Sequence, residues 1–482
     1  MCSIVGLQGN VKADDIIKML KVSKNRGPDS SGIFLDKIHT GIDLDEFEDD
    51  GSYPIAFGHN LLSIYDSNDR VSEPQPVSNE NLTLIFNGEI YNFKTITNLL
   101  SRVGVQKEIL SDAEALLYLI DCYNKGSLVK AIQMATKLIE GDYAFAVWDG
   151  ENLAIARDPL GVKPLFYAQN GDVKGFASSR ESLKEVGFTD ISTLRPEHIL
   201  FNWEDIAPAQ AIYEKIYEGD VAKIEKLLKL SVVKRIDGLR EVGVIFSGGL
   251  DSSYLALLLK EISENIPLKI TLYAVGAEGS QDIESAIYAS KFLNLDLKIC
   301  EVTEELVRES LPQVVKAIGD DNLMKVGVGM TTYLATKMVA EDGIRVAISG
   351  QGADELFGGY KRYLKSFVDD TLNYDIREDI SNMYHVNLER DDACSMLNSV
   401  ELRLPFLDKN LVELVLNIPD NKKIVSMHDD MRKSMLRKIA FEEGLDYEIA
   451  YRPKKAAQYG TGIDKILRKK ILKDTDISKY LE

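Results

Sequence analysis

The chain has 482 residues, of which 45% are hydrophobic and 28% are charged, and its formal net charge is −19. This length exceeds one ordinary hydrophobic core, so two domains are expected. The acidic balance argues against a nucleic-acid partner, because phosphate neutralisation requires Lys and Arg. The four cysteines are far apart and form neither a CxxC metal pattern nor a disulfide framework, which is expected of a reducing cytoplasm.

The chain opens with Met1 and Cys2, followed by a short apolar strand at 4–7. The opening residues lack the basic region and long apolar core of a signal peptide, and no uninterrupted apolar stretch is long enough to cross a bilayer. We therefore expect a cytoplasmic protein without a membrane partner.

Cys2 is a candidate nucleophile. A small second residue permits removal of Met1, which would leave Cys2 with its own α-amino group, whose pKa is about 8. That amine can act as the base for the thiol, so one residue would supply both functions. On position alone a buried structural cysteine is the simpler interpretation, but the motifs that follow favour the nucleophile.

A predicted strand at 82–86 leads into Asn87 and Gly88. Asn-Gly after a strand is typical of a hairpin turn, but it can equally present the Asn87 side-chain amide and the Gly88 amide as an oxyanion hole. Ser111 is predicted to cap the helix that begins at Asp112, which could also hold a substrate ammonium. Further strands are predicted at 57–65, 142–149, 152–158 and 164–168.

These motifs together resemble the class II glutamine amidotransferase domain. The resemblance is carried by Cys2, RGPDSSG, NGEIYN, SDAE, GDYAFAVWD and RDPLGVKPLFYA. It implies an N-terminal-nucleophile hydrolase of the α+β class, with four α-β-β-α layers, in which Cys2 attacks the glutamine side-chain amide. It also implies an oxyanion hole made by Asn87 and Gly88, and a glutamine site made by Arg26, Asn87, Glu89 and Asp112.

One position departs from that family. Where its members usually have His-x-Arg-Leu, this chain has His59-Asn60-Leu61-Leu62. The absent arginine would ordinarily hold the α-carboxylate of glutamine. Another cation, with Arg70 as the candidate, has to take over that contact.

An irregular polar stretch at 202–210 predicts a boundary between a glutaminase domain at 1–205 and a second domain at 206–482. An amphipathic packing helix is predicted at 211–234. Next comes an apolar strand at 242–246, then the loop Ser-Gly-Gly-Leu-Asp-Ser-Ser and a helix. The loop lacks Gly-Lys-Ser/Thr, so it is not a Walker loop. It resembles instead the pyrophosphate loop of ATP pyrophosphatases, with Asp251 as a Mg²⁺ ligand.

A second parallel strand at 270–276 and a helix at 280–294 predict an α/β parallel-sheet domain, in which ligands lie beyond the carboxyl ends of the strands. Val275 and Gly276 could flank an adenine. A second loop, GQGADELFGGY, also follows a strand and carries an acidic pair, Asp354 and Glu355. The pair is either a solvated turn or a site for Mg²⁺–pyrophosphate or a substrate amine.

Three later segments are charged. Glu401 and Arg403 are expected to form a buried ion pair, and the basic residues at 431–437 to form a solvated helical face. The loop RPKKAAQYG is basic and therefore needs an anionic partner, for which the α-phosphate of an acyl-adenylate is the candidate.

The order SGGLDSS, GQGADELFGGY, ELRLPFLD and RPKKAAQYG resembles the synthetase domain of glutamine-dependent asparagine synthetases. The resemblance implies that ATP and aspartate form β-aspartyl-AMP, which ammonia arriving through an internal tunnel converts to asparagine. It implies ATP and Mg²⁺ as cofactors, Asp251 and Asp354 as metal ligands, Lys454 as catalytic lysine, and possible homodimerisation. The implied ATP-binding residues are Ser247, Gly248, Gly249, Asp251, Ser252, Ser253, Val275, Gly276, Gly350, Gln351 and Gly352.

Gln351 is a second departure, because asparagine synthetases usually have Glu in this slot and a neutral amide cannot act as a general base. An amide ligase acting on another carboxylate, or using free ammonia, therefore stays open as an alternative. A non-catalytic binding protein that keeps the fold is the alternative from a different class.

Overall fold

The computed structural model describes residues 2–208, 220–429, 431–453, 460–473 and 476–481. The chain divides into two compact units, Met1–Ala209 and Gln210–Glu482. Among the described helices, none combines the length and the apolar character needed to cross a membrane.

The first unit contains fifteen described strands and five described α-helices. The strands are β1 (Ser3–Lys12), β2 (Ser30–Phe34), β3 (Ile38–Thr40), β4 (Ser52–Leu61), β5 (Asp66–Ser67), β6 (Arg70–Val71), β7 (Val77–Ser78), β8 (Thr83–Ile90), β9 (Gly141–Trp148), β10 (Leu153–Arg157), β11 (Phe166–Asn170), β12 (Val173–Ala177), β13 (Ser192–Thr193), β14 (Ile199–Phe201) and β15 (Glu204–Ile206). The helices are α1 (Ala13–Val22), α2 (Phe93–Arg102), α3 (Asp112–Tyr123), α4 (Leu128–Leu138) and α5 (Arg180–Glu185).

Two antiparallel sheets form the middle of this unit. One has the order β13-β11-β12-β1-β4-β2-β3 and the other β15-β14-β10-β9-β8-β7. Strand β8 shows how the layers arise, because Ile85 packs between the sheets while Leu84 and Phe86 pack against α2–α4. On the first sheet, α1 and α5 cover the opposite face. The result is the four-layer α-β-β-α arrangement expected from the sequence.

The second unit alternates strands and helices. Its described strands are β16 (Glu241–Ile245), β17 (Lys269–Gly276), β18 (Asp296–Glu301), β19 (Val346–Ile348) and β20 (Glu401–Arg403). Its described helices are α6 (Ile224–Ile236), α7 (Leu250–Ser263), α8 (Gln281–Leu293), α9 (Glu304–Ile318), α10 (Leu323–Glu341), α11 (Ala353–Leu356), α12 (Arg362–Val368), α13 (Leu372–Met383), α14 (Glu389–Met396), α15 (Lys409–Leu416), α16 (Asp420–Lys423), α17 (Ser434–Glu442), α18 (Tyr447–Ala450) and α19 (Ile463–Ile466).

The five-stranded sheet of the second unit is parallel throughout and has the order β18-β17-β16-β19-β20. The chain moves outward from β16 to β17 and β18, then returns to the other side of β16 with β19. This reversal creates a crevice beyond the carboxyl ends of β16 and β19, which is where ligands bind in open α/β sheets. Both predicted glycine loops leave the sheet at this crevice.

Several local expectations change in the structure. Asn87 and Gly88 do not make a hairpin turn, because β8 continues through them and pairs with β9 up to Ile90. The predicted helix at 211–234 is described from Ile224 and runs to Ile236, while its opening residues 211–219 lie outside the described part. The basic segment at 431–437 is not a solvated face, since Lys433 and Arg437 are each only 2% exposed.

Candidate active sites

Cys2 and Asn87 are directly connected in the first unit. The backbone nitrogen of Cys2 donates a hydrogen bond to Asn87 Oδ1 at 2.9 Å. Asn87 is fully buried, and its Nδ2 is buried without a hydrogen-bond partner in the described residues. A buried donor without a partner is costly, so such a group is expected to have a functional partner. One end of the amide is therefore anchored beside the cysteine, and the other end keeps donors for a ligand.

The neighbouring strand β9 leaves no room for a side chain at Gly88. It pairs with Tyr143, and a Cβ added at Gly88 would lie 2.4 Å from the carbonyl oxygen of Asp142. Real Cβ atoms do not approach backbone that closely, so only glycine lets β8 and β9 pack here. The backbone beside Asn87 is thus held rigidly in the sheet.

Two other ionisable groups lie near Cys2. Arg26 is 4% exposed and its Nε donates to the Cys2 carbonyl oxygen at 3.4 Å. His59 pairs with Ile4 across the sheet and is fully buried. Burial lowers the pKa of His59 to about 3. Its imidazole therefore stays neutral at physiological pH and is a poor proton acceptor.

A three-residue ion cluster joins two of the predicted glutamine-binding residues. Arg70 donates to Asp112 through Nε at 3.0 Å and through Nη2 at 2.6 Å, and it also donates to Glu89. The backbone nitrogen of Ile90 donates to Asp112 Oδ2 at 2.7 Å. Burial lowers the pKa of Arg70, but Glu89 and Asp112 more than offset it, so the pKa is raised. The structure thus brings Arg70 to the residues that the resemblance implicates.

The two glycine loops of the second unit meet. A Cβ added at Gly350 would lie 3.1 Å from the Cβ of Asp251. The loops line one cavity of about 620 Å³ within this unit. Eight predicted residues line it: Ser247, Gly249, Asp251, Ser252, Val275, Gly350, Gln351 and Asp354. Four others, Gly248, Ser253, Gly276 and Gly352, do not line it.

The conformation of the first glycine loop, 247–253, depends on a glycine and on a serine hydroxyl that accepts a backbone hydrogen bond. Gly248 has a φ of +66°, and a Cβ there would lie 2.3 Å from the backbone of Ser285, so no other residue fits. The Gly249 nitrogen donates to Ser247 Oγ at 3.3 Å. Helix α7 begins directly after the loop, at Leu250, and adds the positive end of its dipole. This arrangement suits an anion at the mouth of the helix.

Lys433 is the central residue that sequence reasoning missed. Its Nζ lies 2.6 Å from Asp251 Oδ2 and 2.6 Å from Asp354 Oδ1, and the side chain is 3% exposed. Burial lowers the pKa of Lys433, but Asp251 and Asp354 more than offset it, so the pKa is raised and the group stays charged. No local signal marks Lys433 among its basic neighbours, because its partners lie far away along the chain.

Asp251 and Asp354, the two carboxylates that contact Lys433, form the candidate metal site. Asp251 Oδ1 is buried without a hydrogen-bond partner in the part of the chain that the structure describes. The described residues contain no cluster of three or more His, Cys, Asp or Glu ligands. Two carboxylates fit Mg²⁺ only if phosphate oxygens and waters complete its coordination, which is the usual arrangement for this ion.

One wall of the cavity carries a hydrogen-bonded carboxylate, Glu355. Glu355 Oε1 accepts hydrogen bonds from Tyr360 Oη at 2.6 Å and from Asn387 Nδ2 at 3.0 Å. Asn387 lies in a π-helical segment, Tyr384–Leu388, and such segments are frequent at functional sites. Arg390 also lines this wall and is paired with Asp391 at 2.8 Å. Glu355 is therefore a buried acceptor in the cavity wall rather than part of a solvated turn.

Lys454 lies outside the described residues, and so does most of the basic loop. The segment before it is described. Arg452 Nη1 donates to the Gly248 carbonyl oxygen at 2.9 Å, and Arg437 donates to the carbonyl oxygens of Ala450 and Arg452 at 2.6 and 2.9 Å. The segment that leads to Lys454 is thus tied to the first glycine loop.

Comparison with known proteins finds two family models that match this chain. Residues 1–229 match the family model of the glutamine amidotransferase domain, and residues 223–377 and 368–476 match that of asparagine synthase. A putative glutamine-hydrolysing asparagine synthetase of Methanocaldococcus jannaschii is 35% identical, covering 97% of this chain and 95% of the relative. A probable asparagine synthetase of Acanthamoeba polyphaga mimivirus is 27% identical, covering 95% of this chain and 84% of the relative.

A eukaryotic relative extends the comparison. The glutamine-hydrolysing asparagine synthetase of Rattus norvegicus is 28% identical, covering 90% of this chain and 82% of the relative. The two family models together match residues of both units, and the relatives match 90% or more of this chain. The chain therefore belongs to the glutamine-hydrolysing asparagine synthetase family of enzymes.

Proposed function

We propose that this chain forms asparagine from aspartate, ATP and glutamine in two half-reactions. The observation that carries the proposal is the convergence of Asp251 and Asp354 on Lys433, where two glycine loops meet in one cavity. Such a site suits a polyphosphate with its metal ion. The site around Cys2 in the other unit suits the release of ammonia.

In the first half-reaction the Cys2 thiol attacks the side-chain carbonyl carbon of glutamine. The α-amine that Cys2 gains when Met1 is removed takes the thiol proton, since His59 is too weakly basic for this step. Asn87 Nδ2 and the Gly88 amide donate to the oxyanion. The C–N bond breaks, ammonia leaves with the proton, and water then hydrolyses the thioester to glutamate. Met1 removal itself is checked by the intact mass of the purified protein.

Glutamine has to be held while the thiol attacks. Asp112 and Glu89 supply carboxylates for its α-ammonium, and Arg26 supports the cysteine through the Cys2 carbonyl oxygen. All three side chains are at most slightly exposed, so their charges act in a poorly screened environment.

In the second half-reaction a carboxylate oxygen of aspartate attacks the α-phosphorus of ATP. The bond to the bridging oxygen breaks, pyrophosphate leaves and β-aspartyl-AMP forms. The loop 247–253 and the start of α7 support binding of the pyrophosphate, while Val275, Gly350 and Gln351 line the cavity for the rest of the nucleotide. Ammonia then attacks the acyl carbon, a proton is lost and AMP leaves.

Charge compensation is the main task of the side chains in this cavity. Mg²⁺ held by Asp251 and Asp354 would neutralise the phosphate oxygens. Lys433 stays protonated between those carboxylates and can stabilise the negative charge that develops on the leaving pyrophosphate. Lys454 remains a prediction for the α-phosphate, to be tested by Lys454→Ala, which should stop adenylation and spare glutamine hydrolysis.

An oxygen-transfer experiment tests the adenylate. Aspartate labelled with ¹⁸O in its β-carboxylate is incubated with ATP, Mg²⁺ and glutamine, and AMP is examined by mass spectrometry. One ¹⁸O in AMP for each asparagine is expected, because the attacking oxygen stays with phosphorus when ammonia displaces AMP. Unlabelled AMP, or ADP in its place, would refute the acyl-adenylate.

A second candidate function is favoured by Gln351, which lines the cavity where the family usually has a carboxylate. On this alternative the chain amidates a different carboxylic acid through the same adenylate. A panel of carboxylates assayed for pyrophosphate release distinguishes the two. Aspartate giving the highest kcat/KM supports asparagine formation, and a higher value for another acid supports the alternative.

A further inference from the structure

The cluster of Arg70, Glu89 and Asp112 has a charge pattern that matches a free amino acid. It carries one positive and two negative groups, of which Arg70 and Asp112 are each 12% exposed and Glu89 is 4% exposed at the side chain. A zwitterionic α-amino acid presents the opposite pair, a carboxylate and an ammonium. In a poorly solvated site such charges interact strongly and orient the ligand.

The guanidinium group of Arg70 is held in place from one edge only. Its Nε and Nη2 donate to Asp112, and Nη2 also donates to Glu89 and to the carbonyl oxygen of Ile90. Its Nη1 makes no hydrogen bond in the described residues and is not among the buried atoms that lack a partner. Two N–H donors on that nitrogen are therefore open to a ligand.

Aromatic packing fixes the plane of the guanidinium. The Arg70 Cζ lies 4.1 Å from the centre of the Tyr65 ring and 5.1 Å from that of Phe93. An arginine held by two rings and two carboxylates loses little further entropy when a ligand binds to it. The open nitrogen is thus presented in a preorganised position.

The cluster is continuous with the strand that carries the oxyanion donors. Asn87, Gly88 and Glu89 are consecutive in β8, and the next residue, Ile90, donates from its backbone nitrogen to Asp112. The other end of this run touches Cys2 through Asn87. An amino acid whose α-groups bind the cluster can therefore extend its side chain along β8 toward the thiol.

We propose that Arg70 binds the α-carboxylate of glutamine in this chain. It replaces the arginine that the family usually has at the position of Leu61. Asp112 is oriented by Arg70 and receives the α-ammonium. This inference rests on the proposed glutaminase half-reaction. On this inference Arg70 determines specificity, because it lets the enzyme discriminate free glutamine from amides that have no carboxylate.

The test compares glutamine with an analogue that lacks the α-carboxylate. This analogue, 4-aminobutanamide, keeps the amine and the reactive amide. Ammonia release is measured for the full-length protein and for Arg70→Ala. The control is Arg180→Ala, since Arg180 also stacks on a ring, that of Phe166 at 4.4 Å, and donates to a backbone carbonyl oxygen.

For the unaltered protein we expect kcat/KM to be about 10- to 100-fold lower with 4-aminobutanamide than with glutamine. Arg70→Ala should lower kcat/KM for glutamine by at least as large a factor, mainly through KM. It should lower kcat/KM for 4-aminobutanamide by a smaller factor, because only the orientation of Asp112 is lost there, so the preference for glutamine should largely disappear. Arg180→Ala should keep the full preference for glutamine. Circular dichroism and the midpoint of thermal unfolding report whether Arg70→Ala is folded.

Four outcomes would overturn the inference. Equal losses with both amides in Arg70→Ala would show that Arg70 only supports Asp112 and does not read the carboxylate. An unaltered protein that uses both amides equally would refute the contact even if Arg70→Ala fails to fold. An unaltered protein that hydrolyses neither amide would refute the proposed glutaminase, and the inference with it. Retained preference in Arg70→Ala with lost preference in Arg26→Ala would assign the carboxylate to Arg26 instead.

Discussion

The backbone nitrogen of Cys2 donates to Asn87 Oδ1 at 2.9 Å, although 85 positions separate the two residues in the chain. This single contact links the atom proposed as the base to the amide proposed as the oxyanion donor. It also orients the amide, because an Oδ1 that accepts from Cys2 leaves Nδ2 to face the substrate. Nucleophile, base and oxyanion donor are therefore positioned by one another.

Replacing the thiol separates the two half-reactions. Cys2→Ala should reduce glutamine-dependent asparagine formation to background and leave ammonia-dependent formation within about twofold, because the second unit contains its own cavity. Both activities are measured as AMP release. Cys122→Ala is the matched control, since burial raises the pKa of that thiol and makes it a poor nucleophile. Equal loss of both activities in Cys2→Ala would contradict the division of labour.

Asn87→Asp isolates the oxyanion donor. Aspartate keeps an oxygen that can accept from Cys2 but replaces the Nδ2 donor with a second acceptor. We expect kcat for glutamine hydrolysis to fall by about 10²- to 10³-fold with little change in KM. Asn60→Asp is the control, because Asn60 is equally buried and its Nδ2 donates to the Leu20 carbonyl oxygen. A rise in KM with unchanged kcat would assign Asn87 to binding instead.

Lys433→Met tests the charge at the centre of the cavity. Pyrophosphate formation should fall at least 10²-fold while glutamine hydrolysis survives, because the lost ammonium compensates both carboxylates and the phosphates. Without it Asp251 and Asp354 repel each other. The midpoint of thermal unfolding should therefore rise more steeply with Mg²⁺ concentration in Lys433→Met than in the unaltered protein. The same Mg²⁺ dependence in both proteins would contradict the proposed metal site.

Lys423 is a matched buried lysine with a different environment. It is 0% exposed, its Nζ has no hydrogen-bond partner in the described residues, and burial, opposed by Asp420, lowers its pKa to about 8. Lys423→Met should leave pyrophosphate formation within about twofold. Loss of that activity as large as in Lys433→Met would show that any buried lysine in this unit is needed for folding.

The pKa of Lys423 also predicts how stability changes with pH. In the unfolded chain the group titrates near 10.5, so between about pH 8 and 10.5 the unfolded state binds more protons. The cost of the buried lysine, about 3 kcal/mol, is complete below pH 8 and disappears as the pH rises to 10.5. Lys423→Met should thus be more stable at pH 7 and lose this advantage by pH 10.5, measured by urea unfolding. A constant difference across this range would contradict the shifted pKa.

Local features of the fold could be predicted from the sequence. Ser111 caps α3 by accepting from the Glu114 nitrogen at 3.3 Å, and both the residue type and its spacing announce this contact. Glu401 and Arg403 form the expected buried pair at 2.7 Å. Strand β17 pairs in parallel with β16, as alternating strands and helices predict.

Long-range contacts could not be predicted in the same way. Asn-Gly favours a turn, but β9 pairs along the whole of β8 and overrides that preference. Lys433 lies 182 positions from Asp251, and no periodicity or motif connects them. Its surroundings read as a solvated basic face, because the buried carboxylates that make it useful come from two distant loops.

Transfer of the amide nitrogen from glutamine to asparagine connects the two proposed half-reactions in one measurement. Glutamine labelled with ¹⁵N in its amide is supplied with aspartate, ATP and Mg²⁺, and asparagine and nucleotide products are quantified. We predict ¹⁵N in the asparagine amide, with one AMP and one pyrophosphate for each asparagine. Unlabelled asparagine, or ADP and phosphate as the nucleotide products, would contradict the account.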